Sequence, residues 1–178
     1  MTHLNNILYQ VTKPARYIGG EWNSIVKDWD SIAIKFAIAY PDLYEIGMSN
    51  MAVPILYELL NNQPDVLAER VYTPWPDMAA TMKNAGIPLF SLESKRPLKD
   101  FDIIGFSLGY ELTYTNVLNM LHLAEIPILA DERDDSHPVV IAGGSCVLNP
   151  EPMSNFIDFF VIGEGEEVLL ELLDTFRD

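Results

Sequence analysis

The sequence predicts a doubly wound α/β domain with a mostly parallel sheet, preceded by a short N-terminal arm. Three observations carry this. From residue 31 onward, short apolar runs alternate with helical patterns, the order that builds a parallel sheet covered on both faces. The stretch 102–115, DIIGFSLGYELTYT, passes from an apolar pair, Ile103 and Ile104, through Gly105, Ser107 and Gly109 into a helical pattern. Two further strand ends, YPDLYEIGMS (40–49) and VVIAGGS (139–145), are built the same way. Strands that open through small residues into helix N-termini are where open α/β sheets hold ligands.

The arm is residues 1–30 and the domain 31–178. In the arm, NNILYQVT reads as a short helix closed by Pro14, and Gly19-Gly20 beside Trp22 reads as a turn that packs the arm back on the domain. Residues 31–40 become almost wholly apolar, which suits a buried strand. The helix at 51–62 has Ser49 or Asn50 as its cap, Pro54 in its first turn, and Ile55, Leu56, Leu59 and Leu60 on one face. Residues 66–72 read as a helix end running into a second strand. A helix at 73–86 follows, with Pro76 in its first turn and Gly86 as its C-cap. Residues 87–94 read as a short third strand and 94–100 as a polar linker. After the 102–115 stretch, Val117, Leu118, Leu121 and Ala124 share one helical face. Residues 126–130 are short and extended, 131–137 form a charged loop, 137–144 and 157–163 are buried strands, and 164–178 is a last helix.

The totals narrow the function. The chain has 178 residues, 49% hydrophobic and 21% charged, which makes it globular. Its net charge is −15, and residues 131–178 hold 12 acidic residues against 2 basic ones. Such a balance argues against direct nucleic-acid binding and against docking on an anionic membrane. Cys146 is the sole cysteine. An internal disulfide or a multi-cysteine iron–sulfur site is therefore excluded within the chain. Cys146 reads as a small residue at a tight turn. No stretch reaches membrane-spanning length and the start lacks a signal-peptide pattern, so a cytoplasmic location is expected.

Four loops hold candidate chemistry. In the first, Asp42 is either an acceptor for a ligand or a turn residue after Pro41. Tyr44 is either functional or core, and Gly47 permits a sharp turn or close approach. In the second, Ser107, Thr113 and Thr115 can hydrogen-bond a ligand, or simply cap and pack. Residues 105–109 match G-x-S-x-G formally, but no acid–histidine pair follows in the order a serine hydrolase needs. In the third, Gly143-Gly144 allows backbone approach to a flat or nucleotide-like ligand, or makes a tight turn. In the fourth, Glu164, Glu166 and Glu167 offset the positive end of the last helix, or group as a metal site. His3, His122 and His137 lack metal-ligand spacing.

Taken together, RYIGGEWN (16–23), YPDLYEIGMSN (40–50), TPWPDM (73–78), PLFSLES (88–94), GFSLGYELTYTNVLNML (105–121), IAGGSCVLNPEP (141–152) and VIGEGEE (161–167) resemble the N-terminal region of radical S-adenosylmethionine proteins that carry a cobalamin-binding-like domain. The resemblance covers nearly the whole chain. It implies a Rossmann-like fold of cobalamin-binding type. In that fold an Asp-x-His-x-x-Gly loop gives cobalt its lower ligand. Here the matching positions include Asp42, Tyr44 and Gly47, with Tyr44 in place of the histidine. Ser107 matches the serine of the second loop, and Gly143 and Gly144 the Gly-Gly loop; these would lie beside a corrinoid's nucleotide tail. The three-cysteine motif for a [4Fe–4S] cluster is not in this chain, so cluster, S-adenosylmethionine and catalysis are expected beyond residue 178. The expected function is thus a degenerate cobalamin-binding-like module that docks on the C-terminal catalytic domain of the same polypeptide. The alternative is a corrinoid-binding domain without a histidine lower ligand, and a third reading is a serine hydrolase using Ser107.

Overall fold

The computed structural model describes residues 2–177, without the side chains of Thr2, His3 and Asn5. The expectations for His3 and for a last helix reaching Asp178 lie outside the described residues. In chain order the elements are α1 (Thr2–Leu8), α2 (Ala15–Ile18), β1 (Ile34–Tyr40), α3 (Tyr44–Gly47), α4 (Ala52–Asn61), β2 (Val66–Tyr72), α5 (Pro76–Ala85), β3 (Ile103–Ser107), α6 (Tyr114–Leu123), β4 (Val139–Gly143), β5 (Phe159–Val161) and α7 (Gly165–Arg177). Among the described residues the five strands form one all-parallel sheet in the order β2-β1-β3-β4-β5. This is the doubly wound α/β architecture. Helices α5 and α6 pack on one face together with Ile7 and Val11 of the arm, whereas α4 and α7 pack on the other. Burial on both faces is why β1 reads IKFAIAY, with Lys35 its single part-exposed residue.

Local chemistry sets the helix limits. Pro54 sits in the first turn of α4, where its missing N–H is not needed. Asn50, one of the two expected caps, accepts the Ala52 N–H at 2.9 Å. Pro76 starts α5 and Gly86 ends it in the left-handed region at φ 63°. The inward face of α4 differs from the expected one. Val53, Tyr57, Leu60 and Asn61 are buried, while Ile55 is exposed. Two polar groups explain the rotation. The Asn61 side chain accepts the Ala68 N–H at 3.1 Å and donates to the Ala68 carbonyl at 3.0 Å. The Tyr57 hydroxyl accepts the Ile25 N–H at 2.8 Å. Hydrophobic periodicity does not register such pairings.

Residues 66–72 are strand throughout, with no helix end. Residues 87–94 are not a third sheet strand, which corrects the sequence expectation. They fold back on themselves, with Ser91 N–H donating to the Arg96 carbonyl at 2.9 Å and one isolated bridge between Phe90 and Pro97. The 91–96 turn instead covers the free edge of β2, where Leu92 N–H donates to the Arg70 carbonyl at 2.7 Å. An open edge strand invites pairing with other chains, and here the protein's own loop takes that place.

That seal centres on Arg70, which is 2% exposed. Its Nε donates to Glu93 at 2.6 Å, its backbone N–H donates to the same carboxylate at 2.8 Å, and its guanidinium lies 4.5 Å from the Tyr57 ring. Glu21 of the arm approaches Arg70 at 3.4 Å. Burial pushes the Glu93 carboxyl up, against the pull of Arg70. The arm reaches this site through Gly19, whose φ is 70°. A Cβ there would lie 2.3 Å from the Leu92 carbonyl oxygen. Lys27 adds a clamp, donating to the carbonyls of Asn61 and Gln63, each at 2.8 Å, and of Val66. Trp29 meets Phe101 edge-on at 5.0 Å. The arm does pack back on the domain, but Trp22 is fully exposed and takes no part.

Removing one partner of a buried ion pair strands the other charge. Glu93→Leu is therefore expected to destabilise the protein by about 3–5 kcal/mol, read from the urea unfolding midpoint. The start of the arm has a pH-sensitive tether. Asp77 accepts the hydroxyl and the N–H of Thr12 at 2.6 and 2.8 Å, and these bonds hold its carboxyl below the usual range. A depressed folded pKa gives stabilisation that is present above the unfolded value, about 3.9. It is lost as pH falls through the folded value. Proteolytic cleavage near Thr12 should accordingly rise on acidification below about pH 4, and Asp77→Ala should show that sensitivity already at neutral pH.

Candidate functional site

The strand register aligns the C-terminal ends of all five strands. Val71, Ala39, Phe106, Ala142 and Phe160 form one row across the sheet. From β1 the chain leaves to α4 on one face, and from β3 to α6 on the opposite face. The two connections part at the β1/β3 boundary, the switch point where sheets of this order take ligands.

A cleft of about 200 Å³ opens here on the α4/α7 face. Phe36, Ile38 and Ile141 form its floor, Leu56 and Leu169 its helical walls, and Ser107, Gly143 and Gly144 its strand-end border. Glu164 and Glu166, at the start of α7, line its acidic side. Alternation along a strand puts Ser107 on the same face as Gly105. The three glycines have separate jobs. A Cβ on Gly105 would lie 2.8 Å from the Phe36 ring, so this glycine makes room for core packing. A Cβ on Gly144 would lie 2.6 Å from the Leu108 carbonyl oxygen at a φ of 106°, so this glycine makes the turn. A Cβ on Gly143 would meet Val161 at 3.8 Å, an ordinary contact, so this position accepts a small side chain without a clash.

The structure thus brings together Ser107, Gly143 and Gly144. Asp42, Tyr44 and Gly47 lie away from the cleft and are engaged by the protein. Asp42 accepts the Tyr110 hydroxyl with one oxygen and the Leu43 N–H at 2.7 Å with the other. The bond to Asp42 pushes the Tyr110 hydroxyl up to about 12. Tyr44 donates to Glu21 at 3.0 Å, and its ring stands edge-on to Tyr72 at 5.6 Å. Burial, together with Glu21, raises its pKa, so the phenol stays neutral. Gly47 is buried, and a Cβ there would lie 2.3 Å from the Tyr72 ring.

Among the described side chains, no histidine stands beside Ser107. His122 is on α6, across the sheet. His137 precedes β4 at the opposite end of the strands and is bonded to Asp134 at 2.9 Å. Cys146 is buried, and burial pushes its thiol up, away from the thiolate a nucleophile needs. Among the described residues, no three His, Cys, Asp or Glu side chains are grouped to hold a metal ion. Sequence reasoning missed Phe36, Ile38, Leu56 and Leu169, because apolar residues that line a cleft look the same as apolar residues that fill a core. It also missed Tyr110, whose partner lies 68 residues away in sequence.

Gly143→Ala is expected to leave stability within about 0.5 kcal/mol of the parent. Gly144→Ala should cost at least about 1–3 kcal/mol of backbone strain. Thermal unfolding of the two variants side by side checks this division of roles.

Among the described residues, no helix is long and apolar enough to cross a membrane. The chain is 30% identical, over 142 residues, to an uncharacterised protein of Methanocaldococcus jannaschii. That alignment takes in 78% of this chain and 26% of the relative, so the chain spans about a quarter of the relative's length. A family model described as radical SAM proteins, N-terminal, matches residues 52–178. That span holds β2 to β5 with the helices that cover them, including every wall of the cleft beyond β1. The chain belongs to the N-terminal family of the radical SAM proteins.

Proposed function

We propose that this chain is an accessory module that docks on the catalytic part of a radical SAM protein, a cobalamin-binding-like domain that has lost its cobalt ligand. The observation that carries the reading is the fate of the first strand-end loop. Tyr44 stands where the related fold has histidine. Its neutral hydroxyl is spent on Glu21 and its ring on Tyr72. Asp42 is likewise held by Tyr110. The residues of this loop do not fit a cobalt centre: Tyr44 turns toward one at the cost of its bond to Glu21 of the arm, and Asp42 at the cost of its bond to Tyr110. A [4Fe–4S] cluster does not fit this chain either, since its single thiol is buried. Cluster and S-adenosylmethionine belong to the rest of the polypeptide.

One observation favours a second reading. The space beside Gly143, bordered by the Ser107 hydroxyl and floored by apolar side chains, suits a flat ring system such as a corrinoid's nucleotide base. On that reading the corrinoid binds with its lower cobalt position free of any protein ligand. Titration of the full-length protein with hydroxocobalamin, followed by its visible spectrum, separates the two. The docking reading expects no saturable change. Saturable binding that is abolished by Gly143→Leu, which fills the cleft, would establish corrinoid binding and remove the docking-only reading.

A further inference from the structure

We infer that the C-terminal rim of the sheet is the face on which the rest of the polypeptide sits. The inference rests on the docking reading and adds to it the surface. Four of the strand-end loops each raise large apolar side chains into solvent at this rim. Met51 follows β1, Tyr110 and Leu112 follow β3, Leu148 follows β4 and Ile162 follows β5. Leu112 is 85% exposed, Leu148 76%, Met51 70% and Ile162 61%. The in-register parallel sheet puts these loops at one end of the molecule, across strands that span roughly 15 Å at the usual spacing.

Scattered apolar residues on a surface need no explanation, but a gathering of them at one edge marks an interaction site. None of these five is needed for the core, since both faces of the sheet are already covered. The cleft opens at the same end. Exposed carboxylates of Glu111, Glu164 and Glu166 flank the apolar positions. The matching surface is therefore apolar with a basic border. Its source is the remaining polypeptide, because the aligned relative carries about three quarters of its length outside this region. The exposed arm residues Trp22 and Val26 form the rival patch. They come from one irregular segment on the β2 side, and none of the four rim loops supplies them.

Hydroxyl-radical footprinting of the full-length protein, read by mass spectrometry, tests the assignment. The expected result is loss of labelling at Met51, Leu112, Leu148 and Ile162 with strong labelling at Trp22. The double variant Leu112→Glu/Leu148→Glu should restore labelling at Met51 and Ile162. A labelled rim with a protected Trp22 would overturn the choice of face and leave the docking reading intact. Labelling at both places would remove both. Rim protection that appears solely after hydroxocobalamin is added would assign the rim to a corrinoid. Protection lost on dilution would assign it to a second copy of the chain. Either of these outcomes overturns the inference.

Discussion

The arrangement at the strand ends follows from the handedness of parallel crossovers. Right-handed connections put α4 on one face and α6 on the other, because β2 lies to one side of β1 and β3 and β4 lie to the other. Neighbouring strands at the centre of the sheet therefore send their helices apart. The gap between them belongs to the topology and requires no particular side chain. What the sequence adds is how each border of the gap is finished: Gly143 leaves room for a small group, Gly105 makes way for the Phe36 ring, Gly144 makes the turn, and Tyr110 with Asp42 ties the β1 and β3 loops together.

The edge of β2 poses the opposite problem, since parallel sheets tolerate exposure poorly. The protein covers it with a turn and an arm that share one buried cation. Arg70 is costly to bury, and Glu93, Glu21 and the Tyr57 ring offset that cost in a region with little water. The same network draws in Tyr44 through Glu21. A residue of the first strand-end loop is thereby wired into the anchorage of the arm.

Much of this was legible in the sequence. The parallel α/β class came from alternation and the ends of α5 from Pro76 and Gly86, and the small residues Ser107, Gly143 and Gly144 of two strand-end loops do border one cleft. The failures have physical causes. Residues 87–94 have strand-like composition, but Pro97 and the left-handed Lys95 turn the segment back before it can pair along a strand. The face of α4 was misjudged because Tyr57 and Asn61 are drawn inward by hydrogen bonds to Ile25 and Ala68. Asp42, Tyr44 and Gly47 have a plausible spacing for a ligand loop. Spacing does not reveal that Tyr72, Glu21 and Tyr110 occupy them first.

The loops after β3 and β4 are bonded to each other as closely as strands. Leu108 N–H donates to the Gly143 carbonyl at 2.7 Å, Cys146 N–H to the Leu108 carbonyl at 3.2 Å, and the Ser145 hydroxyl to the Gly109 carbonyl at 2.9 Å. Two segments that would otherwise fluctuate independently become a single plate. A body that lands on this plate loses little conformational entropy in ordering it, so more of the contact energy remains as affinity.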